Sequence, residues 1–112
     1  MATLELPESY LRILRALLAL HLPEAEVWAY GSRVNGSSHG GSDLDLVVRS
    51  ANDHVTDPDA LRRLRGALSD SNLPILVDVH VWEWLPESFR QAIERGYVVV
   101  QEGKSTSTSR GS

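Results

Sequence analysis

Cysteine is absent from the 112 residues. That removes disulfides, thiolate zinc sites and cysteine nucleophiles from consideration, and it gives no support to an oxidising compartment. Basic residues are in deficit: 11 Lys and Arg against 15 Asp and Glu leave a formal net charge of -4, a field that repels a phosphate backbone and disfavours nucleic acid as a partner. No apolar run approaches the roughly 18 residues of a membrane span, and the N-terminus lacks the basic segment, apolar run and small-residue cleavage site of a secretory signal. A cytoplasmic protein without membrane association is the expectation. With 42% apolar residues the chain can fill one hydrophobic core and not two, since domains usually run to about 100–200 residues. A single domain over residues 1–102 is expected. The remaining GKSTSTSRGS, residues 103–112, has no apolar side chain to bury and is expected to be disordered.

Over residues 7–20, Pro7 opens a segment in which Tyr10, Leu11, Leu14, Leu17 and Leu18 recur at helical spacing, with Glu8, Arg12 and Arg15 mostly on the other side. Pro23 ends this helix, and Val27 to Tyr30 form a short β-prone segment running into Gly31. Residues 43–48, DLDLVV, alternate aspartate and apolar side chains and predict a strand with one polar face near its start. Asp57, Pro58 and Asp59 supply an N-cap, a proline at the first helical position and a charge that suits the helix dipole. Leu61, Leu64 and Leu68 make the buried stripe that follows, while Arg62, Arg63 and Arg65 are expected on a solvated face. Residues 75–82, ILVDVHVW, read as a strand. Pro86 opens a last helix with Phe89, Ala92 and Ile93 on its apolar side, and Gly96 closes it before a β-prone VVV. Helices alternating with strands predict an α/β sandwich with a small mixed sheet flanked by helices.

The stretch that asks for a function is GSRVNGSSHGGSDLDLVV, residues 31–48. Residues two apart in a strand point the same way, so Asp43 and Asp45 project from one face while Leu44 and Leu46 enter the core. Paired carboxylates repel, and a divalent cation compensates both; Mg²⁺ commonly binds through one or two carboxylates plus substrate phosphates. By the same parity Asp78 shares a face with Leu76, His80 and Trp82. If its strand lies beside the one bearing Asp43 and Asp45, three carboxylates converge, enough for two metal ions at a phosphoryl displacement. Gly31 and Ser32 end a strand and enter a turn that predicts a short helix at Arg33 to Asn35, where outward N–H groups favour anions. Gly36, Gly40 and Gly41 leave the loop free to bring Asp43 back toward Ser32. His80 could reach the site but is more simply a partly buried strand histidine, and His21, His39 and His54 lack metal-ligand spacing with one another.

Gly31-Ser32-Arg33, then Gly36, then Ser42-Asp43-Leu44-Asp45-Leu46, with a later strand aspartate at Asp78, resembles the minimal nucleotidyltransferases (MNT) of the DNA polymerase β superfamily. These domains are often encoded beside a HEPN-domain protein. The resemblance covers roughly residues 8–100. It implies the polymerase β-like nucleotidyltransferase fold, with Gly31, Ser32, Arg33 and Ser42 binding the nucleotide and Asp43, Asp45 and Asp78 acting as catalytic, metal-binding residues for two Mg²⁺ ions. Asp78 would also help activate the acceptor hydroxyl. One departure is Asn35, where many members carry arginine just before the loop glycine, leaving Arg33 as the neighbouring cation. The implied activity is an antitoxin's: AMP moves from ATP to a protein hydroxyl, a tyrosine of a HEPN toxin held in a hetero-oligomer.

Two other functions are open to the same residues. One is a non-catalytic antitoxin that inhibits its partner by binding, through apolar surface around Trp82, Trp84 and Leu85. The other is nucleotidyl transfer to a small molecule or an RNA end. The chain length leaves no room for an extra acceptor domain, and for RNA the only opening is the arginine cluster at 62–65.

Overall fold

The computed structural model describes residues 4–35, 43–49 and 57–103. Four helices, α1 (Glu8–His21), α2 (Ser32–Asn35), α3 (Pro58–Ser69) and α4 (Glu87–Glu94), alternate with four strands, β1 (Glu26–Tyr30), β2 (Leu44–Arg49), β3 (Val77–Val81) and β4 (Tyr97–Gln101). The strands form one mixed sheet in the order β3-β2-β1-β4. β1 pairs antiparallel with β2 and with β4, whereas β2 and β3 are parallel. A parallel pair needs a long crossover connection, and α3 lies within it.

Strand parity sorts the side chains onto two faces. Val27 and Ala29 of β1, Leu44, Leu46 and Val48 of β2, Val79 and Val81 of β3 and Val100 of β4 share a core with Leu14 and Leu18 of α1 and Leu61, Leu64 and Leu68 of α3. The apolar spacing of those two helices is therefore spent on one side of the sheet, and each fully buried leucine contributes about 1.5–3 kcal/mol. The opposite face carries a smaller cluster of Trp28, Tyr30, Val47 and Ile93, flanked by Trp82, Leu85 and Tyr97. Trp28 stacks on Tyr97 with ring centroids 3.8 Å apart. The Arg49 guanidinium lies 4.5 Å from the Trp28 ring and 4.7 Å from that of Trp82.

Outer strands expose unpaired carbonyls, and each of the two here has one taken by an arginine. Arg65 donates to the Val79 carbonyl of β3 at 2.6 Å and Arg15 to the Val100 carbonyl of β4 at 3.3 Å. Arg62, Arg63 and Arg65 are all exposed, as expected; Arg65 adds this one bond to the sheet edge, and Arg62 pairs with exposed Asp59 one turn away. β3 is shorter than ILVDVHVW suggests, because its pairing with β2 runs only from Val77 opposite Leu44 to Val81 opposite Val48. Beyond it, Trp82–Trp84 form a 3₁₀ turn. Residues 104–112, most of the expected tail, lie outside the described residues.

The start of α3 is as expected: Asp57 is the N-cap, its carboxylate accepts from the Asp59 N–H at 2.9 Å, and Pro58 opens the helix. Asp57→Ala should cost about 1 kcal/mol and lower the melting temperature by about 4 °C, as read by thermal unfolding followed by circular dichroism.

Candidate active site

The parallel register of β2 and β3 sets Asp45 directly opposite Asp78. Asp43, two residues before Asp45, projects from the same face. The antiparallel register with β1 puts Tyr30 on the other side of Asp45. Asp45 and Asp78 on adjacent strands, with Asp43 just before β2, therefore border one patch.

The electrostatics of the patch register this crowding. The Asp45 carboxyl is held above the usual carboxylate range, first by burial and then by the negative charge of Asp78, with Asp43 adding to the effect and His80 opposing it. The Tyr30 phenol, buried beside the same acids, is pushed up to about 12 by burial and by the charges of Asp45 and Asp78. It remains a neutral donor at physiological pH.

These residues fit a divalent cation by chemistry and by charge. Hard oxygen donors on neighbouring strands suit Mg²⁺, and burial followed by the charge of Asp78 raises the Asp45 carboxyl. Among the described residues, no group of three or more carboxylate or imidazole side chains is drawn close enough to form a finished coordination cluster. A bound cation would offset the repulsion among these carboxylates.

Gly31 follows Tyr30 with φ +86°, in the left-handed region. A Cβ at this position would stand 2.6 Å from the Asp45 Oδ2 atom. Glycine is required twice over, for the backbone conformation and for the close approach of the main chain to a site carboxylate. The short α2 begins at Ser32, one residue before the expected start at Arg33. The Ser32 side chain and all of Ser42 and Gly36 lie outside the described residues.

Arg33, expected at the nucleotide, makes a bond to the segment before α1. It is 5% exposed, and its Nη1 donates to the Glu5 carbonyl at 2.8 Å, while its own carbonyl accepts from the Glu5 N–H at 2.7 Å. The buried guanidinium pins the segment before α1. A lone arginine beside a glycine turn gives no signal in the sequence that distinguishes this bond from a phosphate contact.

Two side chains that the motif does not mark also border the site. Tyr30 is 8% exposed, with His80 and Phe89 rings around it at centroid distances of 6.4 and 6.0 Å. Phe89, expected on the buried side of the last helix, is 39% exposed, while Ile93 on the same helix is buried. Between α4 and the sheet lies a cleft of about 420 Å³, walled by Tyr30 and Gly31 on one side and Phe89, Ala92 and Ile93 on the other, and closed by the Arg95–Gly96 turn.

The four-stranded mixed sheet with its flanking helices has the nucleotidyltransferase fold. Two solved structures share it: a toxin–antitoxin with AMP-PNP, with a TM-score of 0.67 at 20% identity over 84% of this chain and 74% of that one, and a tri-AMPylated Shewanella oneidensis HEPN toxin in complex with MNT antitoxin, with a TM-score of 0.64 at 17% identity over 89% and 76% of the two chains. At the level of sequence, a family model described as a nucleotidyltransferase domain matches residues 11–105, and the chain belongs to that family. It is 40% identical over 105 residues, 94% of its own length and 90% of the relative's, to a probable protein adenylyltransferase MntA from Haemophilus influenzae.

Proposed function

We propose that this protein is a Mg²⁺-dependent nucleotidyltransferase that moves AMP from ATP to a tyrosine hydroxyl of a partner HEPN toxin, and that it acts as the toxin's antitoxin in a hetero-oligomer in the cytoplasm. The carrying observation is the pairing of Asp45 with Asp78 beside Gly31. The name of the Haemophilus influenzae relative and the AMPylated toxin found with a structural neighbour support the choice of nucleotide and acceptor.

In the transfer, the acceptor oxygen bonds to the α-phosphorus of ATP, the bond to the β-phosphate oxygen breaks, and pyrophosphate leaves with the negative charge. Asp78, on the outer strand β3, accepts the acceptor hydroxyl's hydrogen bond and draws off its proton. Asp43 and Asp45 with Asp78 would hold the Mg²⁺. The N–H groups of the Gly31–Ser32 turn receive the outer phosphates, with the Ser32 and Ser42 hydroxyls as further ligands. Two Mg²⁺ ions bound by these carboxylates would supply charge neutralisation at the phosphoryl oxygens, the main need of phosphoryl transfer. Arg33, committed to Glu5, supports the turn from behind.

Inhibition by binding alone has one observation in its favour: Trp84, just past β3, is 57% exposed. Labelled ATP, Mg²⁺ and the purified HEPN partner separate the two. Label should pass to the toxin with the natural protein and not with an Asp43→Ala Asp45→Ala double variant. Toxin silencing that survives in the double variant but fails in Trp84→Ala would assign neutralisation to binding.

A further inference from the structure

The nucleotide reading leaves the cleft beside α4 without an occupant. Three observations bear on what it takes. It adjoins Gly31, the same backbone that packs on Asp45, so the cleft and the carboxylates are neighbours along that turn. Its wall includes Tyr30, more than nine-tenths buried, whose hydroxyl has no hydrogen-bond partner among the described residues. A buried donor left unpaired is costly unless a ligand completes it. Opposite, Phe89 keeps an apolar ring face partly open, set edge-to-face to Tyr30 at an interplanar angle of 86°.

We propose that this cleft binds the nucleoside half of the donor nucleotide, with its flat base against Phe89 and a polar atom of the nucleoside accepting the Tyr30 hydroxyl. Its volume of about 420 Å³ falls in the roughly 300–1,000 Å³ range of small-molecule sites. The sheet order separates the two substrates. Asp78 stands on an outer strand, open to an incoming acceptor, whereas the cleft lies across Asp45 on the β1 and β4 side. What reaches the cleft is therefore the part of the donor that extends away from the acceptor.

This inference rests on the proposed nucleotide site, and a pair of ligands tells the two apart. AMP-PNP and inorganic tripolyphosphate are titrated calorimetrically, in Mg²⁺, into the natural protein and into Phe89→Ala and Tyr30→Phe variants of the full chain. Losing one stacking surface should weaken AMP-PNP by about tenfold in Phe89→Ala, with a smaller loss in Tyr30→Phe. Tripolyphosphate affinity should stay unchanged in both. Phe89 is partly exposed and Tyr30→Phe keeps the ring, so both variants should retain the natural circular dichroism spectrum. If AMP-PNP binds Phe89→Ala as well as the natural protein, or if both ligands weaken by the same factor, the cleft does not hold the nucleoside. A variant that binds AMP-PNP normally but needs more toxin for half-maximal transfer would give the cleft to the acceptor instead. Binding of tripolyphosphate as tightly as AMP-PNP by the natural protein would overturn the cleft alone; binding of neither would remove the nucleotide site as well.

Discussion

Asp45→Asn is expected to lose nearly all AMP transfer while melting at a higher temperature than the natural protein. The loss follows from its place between Asp78 and Gly31. A lost carboxylate ligand removes several kcal/mol of charge stabilisation at the phosphoryl group, or about 10³-fold in rate. The gain in stability follows from the same crowding. Burial and the charge of Asp78 raise the Asp45 carboxyl above its ordinary range, so its ionised form is worse placed in the fold than in the unfolded chain. A raised carboxylate contributes stability that is present at acid pH and lost as pH climbs through the folded value. Asparagine keeps the shape and drops the charge.

Because Asp45 is only half-buried, solvent screens the repulsion, and the stabilisation should stay below about 1 kcal/mol, a rise of about 2–4 °C. The difference between variant and natural protein should close as pH falls below the ordinary carboxylate range. Added Mg²⁺ should raise the melting temperature of the natural protein, since a ligand of the folded state stabilises it, and should do so less for Asp45→Asn. An Asp45→Asn protein that melts lower at neutral pH would mean that the carboxylate is satisfied by the fold and not strained by it.

Gly31→Ala is the second large effect, and its signature is a loss of activity out of proportion to the loss of stability. The left-handed backbone at φ +86° costs a residue with a Cβ about 1–2 kcal/mol, or a fall of about 4–8 °C. The new methyl would also lie 2.6 Å from Asp45 Oδ2. That contact is with the far end of a side chain, so the carboxylate can rotate away and the fold survives. The rotated carboxylate, however, would no longer face the proposed cation site. A displacement of about 1 Å at a catalytic group costs on the order of 10²-fold, so transfer should fall by at least that factor in a protein that still unfolds cooperatively. Transfer rates and thermal melts on one preparation decide it, and a modest loss of activity would mean that Asp45 tolerates the move.

Much of the architecture was legible beforehand because it is written in local periods. Leucines at helical spacing, the Asp57-Pro58-Asp59 start and the alternation in DLDLVV each describe a few residues and their immediate neighbours. The GS turn and the aspartate pair were legible for the same reason. The family match and the solved structures bear out the nucleotidyltransferase resemblance drawn from them. Arg33 shows the limit. Its buried bond to Glu5 spans 28 positions, and no short pattern carries such a contact. Phe89 is another case, since helical spacing groups it with Ile93 but says nothing about where the facing sheet ends.

The sequence alone determined the elements, the face on which each aspartate stands, and the need for glycine at the turn, because strand parity and backbone sterics act within a few residues. Only the tertiary structure decided that β3 lies parallel to β2 with Asp78 opposite Asp45, that Tyr30 closes the other side, and that Phe89 of α4 stays partly exposed while Ile93 of the same helix is buried. Those are outcomes of how separated segments pack. They depend on which apolar faces bury most surface together, a competition settled by the whole chain at once.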